Sequence, residues 1–195
     1  MSMKKELFDI FKKNGGYISR KEIDSRTLYY HLLAQVKEGV VERVRNGVYY
    51  FNPDDNHLMI DIDKVVPGGV LCLYSAWFYY ELSLQIPQSY CIAIEKSRKP
   101  KLPDYPPITL YFWIKEHQEL GVEHKVIDGY EVPIYNMEKC VCDAIKYRNK
   151  VGIDVCSEIV KEYLKRRDRN LMRLNEYART MRIETTLKKY LEIAL

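Results

Sequence analysis

SRKEIDSRTLYYHLLAQVKEGVVERVRNGVYYF, residues 19–51, holds a helix start, an amphipathic helix and a hairpin in immediate succession. Ser19 followed three residues later by Glu22 is a capping box, in which the hydroxyl accepts an orphan backbone N–H and the carboxylate reaches back to the cap residue's own. From about Arg26 to Glu38, Leu28, Leu32 and Val36 recur at helical spacing along one side, which turns Thr27, Tyr30, His31 and Ala34 toward solvent. Adjacent tyrosines lie about 100° apart on a helix, so Tyr30 is expected outward and Tyr29 packed. Gly39 suits the left-handed residue that closes a helix. Two β-branched and aromatic runs between Val40 and Phe51 then flank Asn46-Gly47, the dipeptide of a type I′ turn. A two-residue loop would set Arg45 opposite Val48, Val44 opposite Tyr49 and Arg43 opposite Tyr50, with both arginines on one face.

Upstream, Leu7, Ile10 and Phe11 mark the buried stripe of a helix from Lys4 to Asn14, broken by Gly15-Gly16. A packing helix, a short capped helix, a longer helix and a basic hairpin, in that order, read as a winged helix-turn-helix. Such a module implies a nucleic-acid partner before any enzyme chemistry. Thr27, Tyr30 and His31 are the candidates for the major groove, and Arg43 and Arg45 for phosphates, which set register and much of the affinity.

At 195 residues and 47% hydrophobic, the chain is long enough for two small domains with cores of their own. Its net charge of +4 is unevenly spread: residues 1–53 carry 10 basic and 6 acidic side chains, 54–145 carry 8 and 14, and 146–195 carry 13 and 7. Basic ends around an acidic middle fit contact with nucleic acid at the ends. No run of about 18 apolar residues is present and no signal-peptide core precedes the first helix, so a cytoplasmic protein with no membrane partner is expected. The odd count of five cysteines, mostly inside apolar runs, reads as buried reduced thiols.

Asp54-Asp55-Asn56 reads as the linker between a domain of residues 1–53 and a second of residues 54–195. In the second, a helix near Ser75 to Leu82, capped by Ser75, precedes strands at Tyr90 to Glu95, Ile108 to Ile114, and Val122 to Tyr135, the last broken at Asp128-Gly129. Asn136 caps a helix through about Arg148, and further helices follow at Asp154 to Arg167, Leu171 to Met181 and Thr185 to Ala194. The fold class is therefore α+β: a winged helix-turn-helix, then a mixed domain with a small sheet and a C-terminal helical cluster.

No catalytic constellation is compelling. Asp61-Ile62-Asp63 lacks the Gly-Ser turn that precedes such a pair in nucleotidyltransferases. Glu123-His124-Lys125, with Asp104 upstream, has the Glu-x-Lys spacing of metal-dependent nucleases, but a 30% charged chain produces it by chance. Cys140 and Cys142 point roughly 200° apart on a helix and cannot share a zinc ion. No cofactor or metal is expected. Lys165, Arg166, Arg167 and Arg169, the densest charge cluster, form a possible second anion-binding patch, with a solvated helix end as the alternative.

Several segments together resemble the AbiEi antitoxin family: Arg45-Asn46-Gly47-Val48-Tyr49, the run from Val66 to Ala76, Tyr90-Cys91-Ile92-Ala93-Ile94, Leu120-Gly121-Val122-Glu123, Asp128-Gly129, and the run from Glu138 to Gly152. The resemblance spans nearly the whole chain and lies in order and spacing rather than in one motif. It implies a non-enzymatic two-domain protein. The winged helix would bind operator repeats of its own promoter as double-stranded DNA, and the C-terminal domain would counteract a nucleotidyltransferase-like toxin, direct contact not being the rule, in a type IV toxin-antitoxin system acting against phage. By position, Arg20 and Lys21 join Thr27, Tyr30, His31, Arg43 and Arg45 as DNA-facing candidates. The tyrosine-rich Leu28-Tyr29-Tyr30-His31 departs from the family. Two other classes remain: a metal-dependent nuclease using Glu123 and Lys125, and a non-catalytic adaptor whose winged helix meets protein.

Overall fold

The computed structural model describes residues 3–51, 59–103 and 105–194. It is a mixed α+β protein with small sheets and helices gathered toward the C-terminal end. Two compact units divide it: Met1–Gly68 with Pro100–Pro106 and Lys125–Val132, and Gly69–Lys99 with Pro107–His124 and Pro133–Leu195. The expected linker at residues 54–56 lies outside the described residues.

In the first unit, α1 (Lys5–Lys13) buries Leu7 and Phe11. Gly15 and Gly16, at φ 63° and 88°, then turn the chain into β1 (Tyr17–Ser19). Both halves of the capping box form on a short 3-10 helix, Arg20–Glu22, with the Ser19 N–H donating to Glu22 Oε2 at 2.5 Å. Helix α2 (Arg26–Lys37) starts at Ser25, whose hydroxyl accepts from the Leu28 N–H, and it buries Leu28, Leu32 and Gln35. Gly39 closes it at φ 74°. Strands β2 (Glu42–Arg45) and β3 (Val48–Tyr50) complete a three-stranded antiparallel sheet in the order β1-β3-β2. Leu7, Phe11, Ile18, Ile23, Leu28, Leu32, Val41 and Tyr49 form one apolar cluster beneath these elements. A four-residue helix, α3 (Ile62–Val65), follows, capped by the Asp61 carboxylate.

The hairpin departs from the expected register. Arg45 does pair with Val48, but Glu42, not Arg43, sits opposite Tyr50, because the ladder is irregular between Glu42 and Arg45. Gly47 has φ 74° while Asn46 is not in the positive-φ region, so the turn is not type I′. Gly47 O accepts from the distant Arg20 N–H at 2.7 Å, and within the hairpin Asn46 Oδ1 accepts from Arg43 Nη2 at 2.5 Å.

A five-stranded sheet has the order β6-β5-β4-β8-β7, with β4 Val70–Leu71, β5 Tyr90–Glu95, β6 Ile108–Trp113, β7 Val122–Ile127 and β8 Tyr130–Tyr135. Parallel β5 and β6 pair in register from Tyr90–Ile108 to Glu95–Trp113. Asp128 and Gly129, at φ 49° and 83°, both take the conformation a type I′ turn demands. Helix α4 (Leu73–Tyr79) begins two residues before the expected cap. Ser75 lies inside it, and its hydroxyl accepts from the Cys91 N–H at 2.9 Å and donates to Ser89 O, tying helix to strand. Between β6 and β7 runs a short helix, α5 (Lys115–Glu119).

The C-terminal helices are α6 (Met137–Val151), α7 (Ile153–Lys165), α8 (Leu171–Thr180) and α9 (Glu184–Ala194). Asn136 caps α6 through the Lys139 N–H, and Gly152 at φ 99° separates α6 from α7. Buried Glu138 joins three of these helices: its Oε1 accepts from the Tyr163 hydroxyl and the Asn170 N–H, each at 3.0 Å, and its Oε2 lies 3.6 Å from Arg173. No helix among the described residues is long and apolar enough to cross a membrane.

Candidate nucleic-acid interface

Because α2 buries one side, its other side is free to carry chemistry, and the residues there are polar, aromatic or cationic. Arg26, Thr27, Tyr30 and Lys37 are exposed, Tyr30 to 56%, while His31 and Ala34 are half-buried. Tyr29 turns inward, and its hydroxyl meets that of Tyr49 at 3.2 Å. Burial and this bond push the Tyr49 hydroxyl up to about 12.

The structure disperses the expected cations. Arg43 is exposed at the hairpin and held by Asn46. Arg45 Nε donates to the Lys64 carbonyl at the end of α3, which aims the guanidinium at the protein's own backbone. The expected pairing of Arg43 with Tyr50 does not form, and Arg45 is engaged by an acceptor that α3 supplies. Arg20, though exposed, donates from Nη1 to Ile23 O at 2.5 Å and stacks 4.3 Å from the Tyr29 ring centroid. Lys21 stands exposed on the 3-10 helix.

Lys64 braces this arrangement. Its ammonium donates to Tyr17 O at 2.8 Å and lies 3.6 Å from both Glu22 and Asp61. Partial burial pushes the Glu22 carboxyl up, but the bonds from Ser19 and the Lys64 charge outweigh it, leaving the group below its ordinary value. Sequence reasoning missed Arg26, Lys37 and Lys64. The i, i+4 spacing of Arg26 and Tyr30 was a usable signal, whereas the link from Lys64 to Glu22 was not.

Elsewhere the candidates are engaged in local structure. Asp61 caps α3, and Asp63 accepts from the Gly68 N–H. Lys165 pairs with Glu162 at 2.6 Å, Arg166 with Asp168 at 3.1 Å, and Arg169 donates to Arg166 O, which leaves Arg167 alone of the four without a partner among the described residues. Glu123 and Lys125 are half-buried, His124 is exposed, and Asp104 lies outside the described residues. No group of three or more His, Cys, Asp or Glu among the described residues is placed to hold a metal ion. All five cysteines are free and buried, with Cys140 Sγ toward Tyr135 O and Cys142 Sγ toward Leu174 O. No protein-family model and no curated protein matches this chain.

Proposed function

We propose that the first unit is a winged helix-turn-helix that binds double-stranded DNA, and that the chain is a transcriptional autorepressor and antitoxin of an abortive-infection operon. The observation that carries DNA binding is the asymmetry of α2: Leu28, Leu32 and Gln35 are buried while Arg26, Thr27, Tyr30 and Lys37 face water, and Arg26–Lys37 contains no carboxylate. Supporting it are the element order and the β2–β3 hairpin, which carries exposed Arg43. A duplex is a polyanion, so an outward helix bearing cations and one large ring is complementary to its major groove.

The antitoxin role rests on the resemblance to AbiEi proteins, which assigns residues 1–53 to operator binding and 54–195 to counteracting a nucleotidyltransferase-like toxin. On this reading the protein is cytoplasmic and non-enzymatic. Titration of fluorescently labelled promoter duplex, followed by anisotropy between about 50 and 200 mM salt, tests the DNA arm: affinity is expected to fall steeply as salt rises. Absence of binding at the lower salt would refute it. Co-expression with the toxin encoded beside it tests the second arm, with restored growth expected.

A further inference from the structure

Arg26 is the first residue of α2, directly after the Ser25 cap, and its side chain is exposed. Its Nη2 donates to the Tyr30 hydroxyl at 3.2 Å, and its guanidinium carbon lies 5.7 Å from the centroid of the Tyr30 ring. One helical turn separates the two residues, so they form a unit on the outward face. The other arginines of this unit are engaged differently: Arg20 with Ile23 O and the Tyr29 ring, Arg43 with Asn46, and Arg45 with Lys64 O. Arg26 alone of these has its fork steadied by a side chain on the helix face that is offered to solvent.

That geometry suits a bidentate contact. Arginine carries five donors in a rigid plane, and only one is engaged by Tyr30, so the others stay available. In the major groove, guanine presents O6 and N7 as adjacent acceptors, which a guanidinium meets with two parallel bonds. The N-terminal residues of such a helix are the ones that reach base edges. A phenol oxygen holding one Nη restricts rotation of the plane, which lowers the entropy lost when the fork engages a base.

We propose that Arg26, held by Tyr30, reads a guanine in the major groove and is the chain's principal sequence-discriminating residue, with Tyr30 as its positioning residue. This rests on α2 being the DNA-reading helix. A phosphate contact would add affinity without discrimination, and the two roles are separable by experiment.

The test uses the full chain and a library of random duplexes, from which bound sequences are selected and measured. Wild-type protein is expected to enrich a guanine at one position per site, and exchange of that guanine for adenine should weaken binding roughly 5- to 150-fold. Arg26→Lys keeps the charge and removes the planar fork, so the penalty should shrink, and Arg26→Ala, which removes every donor, should abolish it. Tyr30→Phe keeps the ring and removes the acceptor, and should reduce the penalty at that position only. Circular dichroism and melting check that each variant is folded. Retained guanine preference in Arg26→Ala overturns the proposal. So does uniform weakening in Arg26→Ala with the salt slope lowered by about 1, which marks a phosphate contact. If wild-type protein binds every duplex alike and salt-dependently, DNA binding stands and the role of Arg26 falls. If it binds none, the DNA-binding reading itself falls.

Discussion

Removing the charge of Lys139 should destabilise the second unit by an amount that depends on pH. Lys139 and Asp143, one turn apart on α6, pair at 2.5 Å with both side chains at 0% exposure. The ammonium also lies 3.9 Å from the Tyr135 ring centroid and 4.5 Å from that of Trp113, while Asp143 Oδ2 has no partner among the described residues. Burial pushes the Asp143 carboxyl up from 3.8 to about 6, against the pull of Lys139. A folded value above the unfolded one means that this group favours folding fully below about pH 4 and loses that contribution, ~3 kcal/mol, as pH rises through about 6. Lys139→Met strips the carboxylate of its counter-charge and should cost about 3–5 kcal/mol at pH ~8, roughly 6–20 °C in melting temperature. At pH ~5 the carboxyl takes up a proton and the loss should shrink. Asp143→Leu leaves a buried ammonium facing two rings, and about 3 kcal/mol of loss is expected. The double variant, Lys139→Met with Asp143→Leu, should return to within about 1 kcal/mol of the parent. Calorimetric melting of all four proteins at both pH values measures this. An equal loss for Lys139→Met at the two pH values, or a double variant as unstable as the two single losses added, would refute the reasoning.

Three further outcomes are expected. Arg43→Ala should weaken binding to all duplexes alike and lower the salt slope by about 1, whereas Arg45→Ala should leave the slope unchanged and cost ~2 kcal/mol of stability, as salt-titrated anisotropy and melting would show. Gly121→Ala should cost at least about 2 kcal/mol, because at φ +72° its Cβ would lie 2.8 Å from Lys139 Cβ and 3.0 Å from Asn136 Oδ1. Gly129→Ala, at φ +83° with nothing within 4 Å, should cost only ~1 kcal/mol by the same denaturation assay. Burial raises the Cys72 and Cys140 thiols well above their ordinary value, so a colorimetric thiol reagent should react with them at least about tenfold more slowly in native than in unfolded protein.

What could be read from residues alone was set by short-range chemistry. The capping box at Ser19 and Glu22 and the cap at Asn136 depend on groups within three or four residues, and helices predicted from such signals appear within a few residues of their expected bounds. Strand β5 matches its expected span, and Tyr30 faces out as its helical angle required. The failures share another cause. The Asn46-Gly47 turn answers to Arg20, Arg45 to Lys64 nineteen residues on, and Ser75 to Cys91 sixteen residues on. Strand β4 spans two residues and exists because β5 and β8 flank it, which no local pattern encodes. Within the candidate interface, the identity of the outward helix was legible and the aim of its neighbouring arginines was not.

Tyr130 closes the turn at Gly15. Its hydroxyl donates to the Gly15 carbonyl, its ring meets that of Tyr17 edge-on at 6.0 Å, and a Cβ on Gly15 would strike it at 2.9 Å. These atoms are brought together across 115 residues of sequence. Cutting the polypeptide after the first hairpin would thus unroof the amino-terminal glycine bend, wetting a carbonyl and an aromatic flank that the intact protein shields. The unit proposed to read DNA is not a detachable cassette, and its integrity depends on the synthesis of much later codons.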